Sequence, residues 1–168
     1  MQAESSVAKS VYIETSIPSA YFDERADVIS QFQRMETRRW FDEDAGRYSI
    51  MASEAVVAEL GAAQFPAQQE ALQWIRSFSI LATTAEVQGV ARTYVEERLM
   101  PKGDMGDAFH LAFASVHRLD YLLTWNCRHL ANPNKVAHIV AVNRRLALIT
   151  PIIVTPQMLV QEISDDTA

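Results

Sequence analysis

The sequence predicts a three-layer α/β fold, in which a five-stranded parallel sheet is flanked by helices. Short apolar runs alternate with longer amphipathic segments along the chain, and strands that alternate with helices indicate a parallel sheet covered on both faces. The 168 residues are 49% hydrophobic, which is enough for one domain with a sizeable core. We predict a single domain over residues 10–162, with an N-terminal extension (1–9) and an acidic tail (163–168).

Five short apolar segments are expected to form the strands. Each is rich in β-branched, aromatic or other apolar residues and is followed by a turn or a helix start. They are residues 10–14, 48–52, 79–82, 121–124 and 152–155. After the first strand, the segment that ends in Ile17-Pro18 is expected to turn the chain.

The first long helix is expected over residues 27–44, with Gly46 just beyond its end. Apolar residues recur along it and fall roughly on one side, as in a helix that packs on a sheet. These residues are Val28, Ile29, Phe32, Met35 and Trp40.

Later helices are predicted from their start signals. Ser53 is expected to cap one helix and Pro66 to open the next. Thr83 with Glu86 three residues on forms a capping box before another helix. Residues 107–119 are apolar nearly all round, which predicts a buried helix. The remaining helices are expected over residues 135–148 and from residue 155 onward.

Composition excludes several classes of protein. The chain has 15 basic and 21 acidic residues, a net charge of −6, which excludes a surface that is basic throughout but not a local basic face. Cys127 is the single cysteine, so no intramolecular disulfide can form. The sequence contains neither a signal-peptide core nor an apolar stretch long enough for a membrane span. We expect a soluble, cytoplasmic protein with no membrane partner.

Several acidic residues fall near the carboxyl ends of the predicted strands, where parallel sheets form their binding crevice. Glu14 ends the first strand, and Glu59 lies in the helix after the second. Asp104 and Asp107 precede the fourth strand, and Asn126 follows it. Oxygen ligands without histidine or cysteine suit Mg²⁺ or Mn²⁺. Such a site predicts metal-assisted hydrolysis of phosphodiester bonds.

Most of these residues also have an ordinary structural explanation. Asp107 suits the first turn of a helix, where the dipole favours an acid. Glu59 lies near a helix end, where exposed acids are common, and Asn126 suits a turn. Glu14 differs, because a carboxylate after an apolar central strand is costly to bury without a partner.

Four segments, in chain order, resemble the motifs of the PIN-domain family. They are VYIETS (11–16), SEAVVAEL (53–60), GDAFHLA (106–112) and LLTWNCRHL (122–130), and IVTP (153–156) resembles the closing strand. The resemblance spans roughly residues 10–162. It implies a metal-dependent endoribonuclease on a five-stranded parallel α/β fold. Members of this size resemble VapC-type toxins, which implies an RNA substrate, an antitoxin partner and a homodimer.

The resemblance also implies roles for individual residues. The catalytic and metal-binding residues are expected to be Glu14, Glu59, Asp107 and Asn126, with Asp104 as a further candidate ligand of Mg²⁺ or Mn²⁺. Ser16 and Thr124 are expected to orient ligands or the attacking water. Arg128 either holds a phosphate or lies on a surface loop.

The chain departs from the family pattern at two positions. The first motif usually carries Asp where this chain has Glu14, and the fourth position is Asn126 rather than Asp. These departures motivate an alternative function, a catalytically weak or inactive module that binds RNA or protein. A second alternative is a metal-dependent phosphatase, against which the lack of a glycine-rich phosphate loop argues.

Two further features have two interpretations each. His110 is interpreted as a core histidine bonded to a backbone carbonyl, with contact to an acid as the alternative. The densest basic cluster comprises Arg25, Arg34, Arg38 and Arg39. It is either an RNA contact or a solvated helix face paired with the acids nearby.

Overall fold

The computed structural model describes residues 7–160, which form five strands and seven α-helices. The strands are β1 (Lys9–Ile13), β2 (Tyr48–Ser53), β3 (Ser79–Leu81), β4 (Tyr121–Leu123) and β5 (Ile152–Val154). The helices are α1 (Ser16–Tyr21), α2 (Val28–Glu43), α3 (Glu54–Ala62), α4 (Gln68–Ile75), α5 (Ala85–Glu96), α6 (Met105–Val116) and α7 (Val136–Arg145). The acidic tail predicted at 163–168 lies outside the described residues, as do residues 1–6 of the predicted extension.

All five strands are parallel, in the order β3-β2-β1-β4-β5. The predicted parallel sheet flanked by helices is therefore confirmed. Central strand β1 pairs with β2 on one side and β4 on the other, and its residues Val11, Tyr12 and Ile13 are fully buried. The strand order reverses between β1 and β4, and ligands of open α/β sheets bind at such a switch point, outside the carboxyl ends of the strands.

Helix α6 is the most deeply buried helix in the described chain, as its apolar sequence predicts. It packs against α5 and contributes Leu111 and Phe113 to the core, and both are fully buried. This burial fixes the first turn of α6 beside the carboxyl end of the sheet. No helix within residues 7–160 is both long and apolar enough to cross a bilayer.

The orientation of α2 corrects the sequence analysis. Its buried residues are Ser30, Thr37 and Trp40, whereas Val28, Ile29 and Met35 are 82%, 69% and 58% exposed. Because seven residues complete two turns, Ser30 and Thr37 share one face of the helix. Val28 and Met35 share another face, which is exposed. Of the predicted apolar side, only Trp40 is buried, and Phe32, 37% exposed, packs against the Trp125 ring.

Three local predictions also differ from the structure. Residues 16–21 form helix α1, although Pro18 suggested a turn, because proline is tolerated within the first turn of a helix. The N-cap of α5 is Thr84, whose side chain accepts a hydrogen bond from the Val87 nitrogen, rather than Thr83. From Pro156 the described chain forms a turn instead of the predicted helix.

Candidate metal centre

Glu14 lies directly after β1, and only 4% of the residue is exposed. Its Oε1 accepts a hydrogen bond from Thr124 Oγ1 at 2.6 Å and another from Ser16 Oγ. Ser16 Oγ in turn accepts from the Trp125 nitrogen at 2.8 Å. These bonds tie the start of α1 to the loop after β4 and fix the carboxylate at the switch point. Within residues 7–160, no hydrogen bond reaches Oε2 of Glu14.

Asp107 lies in the first turn of α6 and faces the loop after β4. It is 7% exposed, and its Oδ2 accepts a hydrogen bond from Asn126 Nδ2 at 2.8 Å. Oδ1 of Asn126 accepts a hydrogen bond from the backbone nitrogen of His129 at 3.0 Å. Both ends of the Asn126 side chain are therefore engaged, and the amide orients the Asp107 carboxylate.

Asp104 is the second polar neighbour of Asp107. It occupies the N-cap position of α6 but makes no capping hydrogen bond with its side chain. Burial, the contact with Asp104, and the negative charges of Asp104 and Glu14 raise the pKa of Asp107 to about 7, although the Asn126 hydrogen bond opposes the rise. A helix N-terminus alone would lower this pKa, so in this protein burial and the neighbouring acids outweigh the effect of the helix start.

Glu59 is held by a chain of polar side chains. His110 Nε2 lies 3.0 Å from Glu59 Oε1, and Thr15 Oγ1 donates to Oε2 at 2.5 Å. On the other side of the ring, Nδ1 of His110 lies 2.7 Å from the Tyr12 hydroxyl, which lies 2.7 Å from Ser53 Oγ. The interpretation of His110 as a histidine bonded to a backbone carbonyl is therefore wrong, and its alternative, contact with an acid, is confirmed.

Glu59 and His110 stabilise each other's charged forms. Burial alone would raise the pKa of Glu59, but the hydrogen bond and charge of His110, with the bond from Thr15, lower it. Burial alone would lower the pKa of His110, but the bond to Glu59 and the negative charges of Glu14, Glu59 and Asp107 raise it. Glu59 is therefore ionised at neutral pH.

Gly106 allows Glu59 to approach α6. A Cβ at this position would lie 2.8 Å from Glu59 Oε1 and 3.9 Å from Asp104 Oδ1. Side-chain carbons do not approach an oxygen as closely as the first distance, so the Glu59 carboxylate occupies space that any other residue at 106 would fill. The glycine thereby lets the Glu59 carboxylate approach the first turn of α6, near Asp104.

His129 is a functional candidate that the sequence analysis missed. One ligand atom each from Asp104, Asp107 and His129 lie within 4.8 Å of one another. The hydrogen bond from the backbone nitrogen of His129 to the Asn126 side chain fixes the turn that carries this histidine and leaves its ring nitrogens available. The sequence signal for this role was its position three residues after Asn126, in the loop after the fourth strand. It was passed over because the sequence analysis expected a metal site made of oxygen ligands alone.

The predicted site residues occupy one edge of the sheet, with one exception. Asp107 contacts Asn126 and Asp104. Glu14 lies close enough for its charge to raise the pKa of Asp107, but among the described residues the ligand atoms that lie together are those of Asp104, Asp107 and His129, without Glu14 or Glu59. Ser16 and Thr124 each donate a hydrogen bond to Glu14. Arg128 is exposed, and among the described residues its side chain makes no hydrogen bond or ion pair. It lies beside the centre instead of within it.

Comparisons with known proteins identify the fold. No protein-family model and no curated protein sequence matches the chain. A chain of a toxin–antitoxin complex from Klebsiella pneumoniae superposes with a TM-score of 0.55 at 21% identity, and the match covers 88% of this chain and 98% of that one. VapC20 of Mycobacterium tuberculosis, a toxin that cleaves the sarcin–ricin loop, superposes with a TM-score of 0.54 at 14% identity. That match covers 71% of this chain and 92% of VapC20. The chain has a VapC-like PIN fold.

Proposed function

We propose that the protein is a divalent-metal-dependent endoribonuclease and the toxin of a toxin–antitoxin pair. The observation that carries this proposal is the convergence of Glu14, Asp104 and Asp107 at the switch point of the sheet. Burial, the contact with Asp104 and the negative charges of Asp104 and Glu14 together raise the pKa of Asp107 to about 7. A divalent cation would offset this concentration of negative charge.

The donor atoms fit such an ion. The ligand atoms of Asp104, Asp107 and His129 lie within 4.8 Å of one another, and ligands of a Mg²⁺-sized ion lie up to roughly 4 Å apart, given its bond lengths of about 2.1 Å. Two carboxylates suit Mg²⁺ or Mn²⁺, and an imidazole shifts the preference toward transition metals. When bound, the ion would supply Lewis acidity and a water of lowered pKa.

The protein's own residues would prepare this chemistry. Asp104, Asp107 and His129 would hold the ion, and Glu14 would add negative charge close to it. Asn126 would act through Asp107, whose carboxylate it orients. His110 and Thr15 keep Glu59 ionised and in place beside α6.

The fold similarities support the substrate and the partner. VapC20 cleaves an RNA loop, and the Klebsiella chain belongs to a toxin–antitoxin complex, which supports RNA and an antitoxin for this chain. The exposed apolar face of α2, formed by Val28, Ile29, Phe32 and Met35, is of the kind that a partner protein or a second copy covers. We propose a cytoplasmic location and a homodimer as parts of the same function.

Cleavage of a mixed RNA pool tests the proposal. Purified protein is incubated with Mn²⁺, Mg²⁺ or EDTA, in parallel with Asp107→Asn and with Asp42→Asn, the same change at an exposed residue of α2. We expect cleavage that requires metal, survives Asp42→Asn and is lost with Asp107→Asn. Absence of cleavage by folded protein, together with no Mn²⁺-induced rise in melting temperature, would contradict the proposal.

A catalytically inactive RNA-binding module is the second candidate. It is favoured by position 126, where an amide with both ends engaged replaces the carboxylate of the family motif. This candidate predicts RNA binding that is unaffected by EDTA, without cleavage in any metal. The cleavage assay therefore separates the two functions.

A further inference from the structure

A groove opens beside the candidate metal centre. It is a cleft of about 1100 Å³ between the end of α5, the loop that leads into α6, and the loop after β4. Four basic residues line it, Arg98, Lys102, Arg128 and Lys135, and we call it the basic groove. Among the described residues that line it, Glu96 is the sole acid. The whole chain has a net charge of −6, so the groove is opposite in sign to the rest of the molecule.

Three of these cations are available to a ligand. Arg98, Lys102 and Arg128 are exposed, and within residues 7–160 their side chains form no ion pair or hydrogen bond.

The basic cluster on and before α2 differs from the groove, because its side chains have partners. Arg25 pairs with Asp23 at 2.7 Å and Arg39 with Glu36 at 2.6 Å. Arg34 and Arg38 donate to the carbonyls of Asp23 and Tyr21, which supports the interpretation of that cluster as a paired helix face.

The basic groove leads to the carboxylates. His129 lines the groove and also approaches Asp104 and Asp107. Lys135 Nζ donates a hydrogen bond to the Leu99 carbonyl at 2.8 Å. This bond joins the segment before α7 to the segment after α5 across the groove. A chain of phosphates lying on Arg98, Lys102 and Arg128 would therefore continue toward the candidate metal centre.

We propose that the basic groove binds the phosphate backbone of single-stranded RNA and delivers it to the carboxylate cluster. This assignment rests on the proposed function for the identity of the nucleic acid. Exposed cations without ion pairs are what phosphates require. A single strand is favoured because Glu14 and Asp107 are 4% and 7% exposed, and a flexible strand can bend a phosphate toward such recessed groups. His129 has the only aromatic ring among the described lining residues, so base stacking contributes little and the groove tolerates many sequences.

Arg98 offers a substitution that separates charge from folding. It ends α5 with a φ of 60°, a left-handed conformation that costs a non-glycine residue free energy and a glycine none. Arg98→Gly therefore removes the charge while relieving strain. Arg118 is exposed and ends α6 in the same way, with a φ of 53°, but does not line the groove. Arg118→Gly is the matched control.

RNA affinity is measured by fluorescence anisotropy with a labelled 12-nucleotide single strand in EDTA, over a series of salt concentrations. Each phosphate contact to a single strand contributes about 0.7 to the salt slope, or about fivefold in affinity at 0.1 M salt. We expect Arg98→Gly to bind about fivefold more weakly and Arg118→Gly to bind as the unsubstituted protein does. Adding Lys102→Ala and Arg128→Ala should bring the loss to about 100-fold and lower the slope by about 2. Lys135 is left unchanged because it joins the groove walls.

Several results would overturn the assignment. Equal affinities for Arg98→Gly and Arg118→Gly would show that the groove does not contact RNA. Tighter binding of duplex RNA than of single-stranded RNA would overturn the single-strand assignment. EDTA prevents metal-dependent cleavage, so binding is measured independently of activity. If the groove substitutions weaken RNA binding but the protein does not cleave RNA with any metal, the proposed nuclease function is contradicted and the assignment of the groove to RNA binding stands. In active protein, the groove variants should raise KM and leave kcat nearly unchanged.

Discussion

Asn126 donates a hydrogen bond to the carboxylate of Asp107, with Nδ2 and Oδ2 separated by 2.8 Å. The amide comes from the loop after β4 and the acid from the first turn of α6, so the contact joins the two segments that border the switch point. Burial, Asp104 and Glu14 raise the pKa of Asp107, and the Asn126 bond works against them. A carboxylate at 126, as in the usual PIN motif, would instead add to the repulsion.

Replacing Asn126 by Asp tests this relationship. Without metal, Asn126→Asp places another carboxylate against Asp107, so we expect a lower melting temperature at pH 8. With Mn²⁺ the added charge becomes an attraction, and the metal-induced rise in melting temperature should exceed that of the unsubstituted protein. Asn134→Asp, the same change at an exposed loop residue, is the control. A metal-induced rise no larger than in this control would contradict the assignment of Asn126 to the metal centre.

The pKa of Asp107 predicts how stability depends on pH without metal. The pKa is about 7 in the folded protein and about 3.9 in an unfolded chain. Between these values the folded state holds a proton that the unfolded state has released, so stability falls as the pH rises from about 4 to about 7. His110 acts in the same direction, because its raised pKa adds stability below its usual 6.5 that is lost as the pH rises through the folded value.

In EDTA we therefore expect a smaller free energy of unfolding at pH 8 than at pH 5.5, measured by urea denaturation. Asp107→Asn should reduce this difference, whereas Asp42→Asn should leave it unchanged. An Asp107→Asn variant with the full pH dependence would show that the titrating group lies elsewhere. Both pH values lie above the range in which Glu59, whose pKa is lowered, would be protonated and lose its contribution.

Gly106→Ala should separate activity from folding. The new Cβ would lie 2.8 Å from Glu59 Oε1, so the Glu59 side chain must move away from His110 and Thr15. The moving group is the end of a flexible side chain, and alanine favours the helix, so stability should change by no more than about 1 kcal/mol. RNA cleavage should fall about 100-fold, because small displacements at a reacting centre are costly.

Gly89→Ala provides the matched control for this change. Gly89 lies within α5, and a Cβ there would meet nothing within 4 Å. We expect stability to rise by about 0.5–1 kcal/mol and cleavage to be unchanged. Full activity in Gly106→Ala would mean that the position of the Glu59 carboxylate does not matter for cleavage.

The fold was predictable from the sequence because its signals are local. Apolar strands and amphipathic helices follow each other in order. Glu14 directly follows β1 and Asn126 lies three residues after β4, so parallel pairing of these strands places both residues at the same edge of the sheet. Helix α1 was missed since six residues that include Pro18 have the composition of a turn. The inward face of α2 was misjudged because its apolar stripe lies on the side that does not meet the sheet.

The supporting contacts of the site were not predictable, because they join distant parts of the chain. His110 contacts Tyr12, 98 residues away, and Glu59, 51 residues away. Helical periodicity marks His110 as a core position but carries no information about which side chain it meets. The basic groove was hidden for the same reason, since Arg98 and Lys135 lie 37 residues apart and are each isolated among neighbours of other kinds.

The two faces of α2 should respond differently to substitution. Trp40 is fully buried, and its Nε1 donates a hydrogen bond to the Leu159 carbonyl at 2.7 Å. Trp40→Ala should therefore lower the free energy of unfolding by about 3–5 kcal/mol.

Met35, on the opposite face, is 58% exposed, so Met35→Ser should change the free energy of unfolding by no more than about 0.5 kcal/mol. If the exposed face binds a protein partner, Met35→Ser should still weaken that association. Urea denaturation measures the first effect, and sedimentation of the purified protein, which reports its self-association, measures the second. Association that is unchanged by Met35→Ser combined with Val28→Ser would exclude this face from the interface.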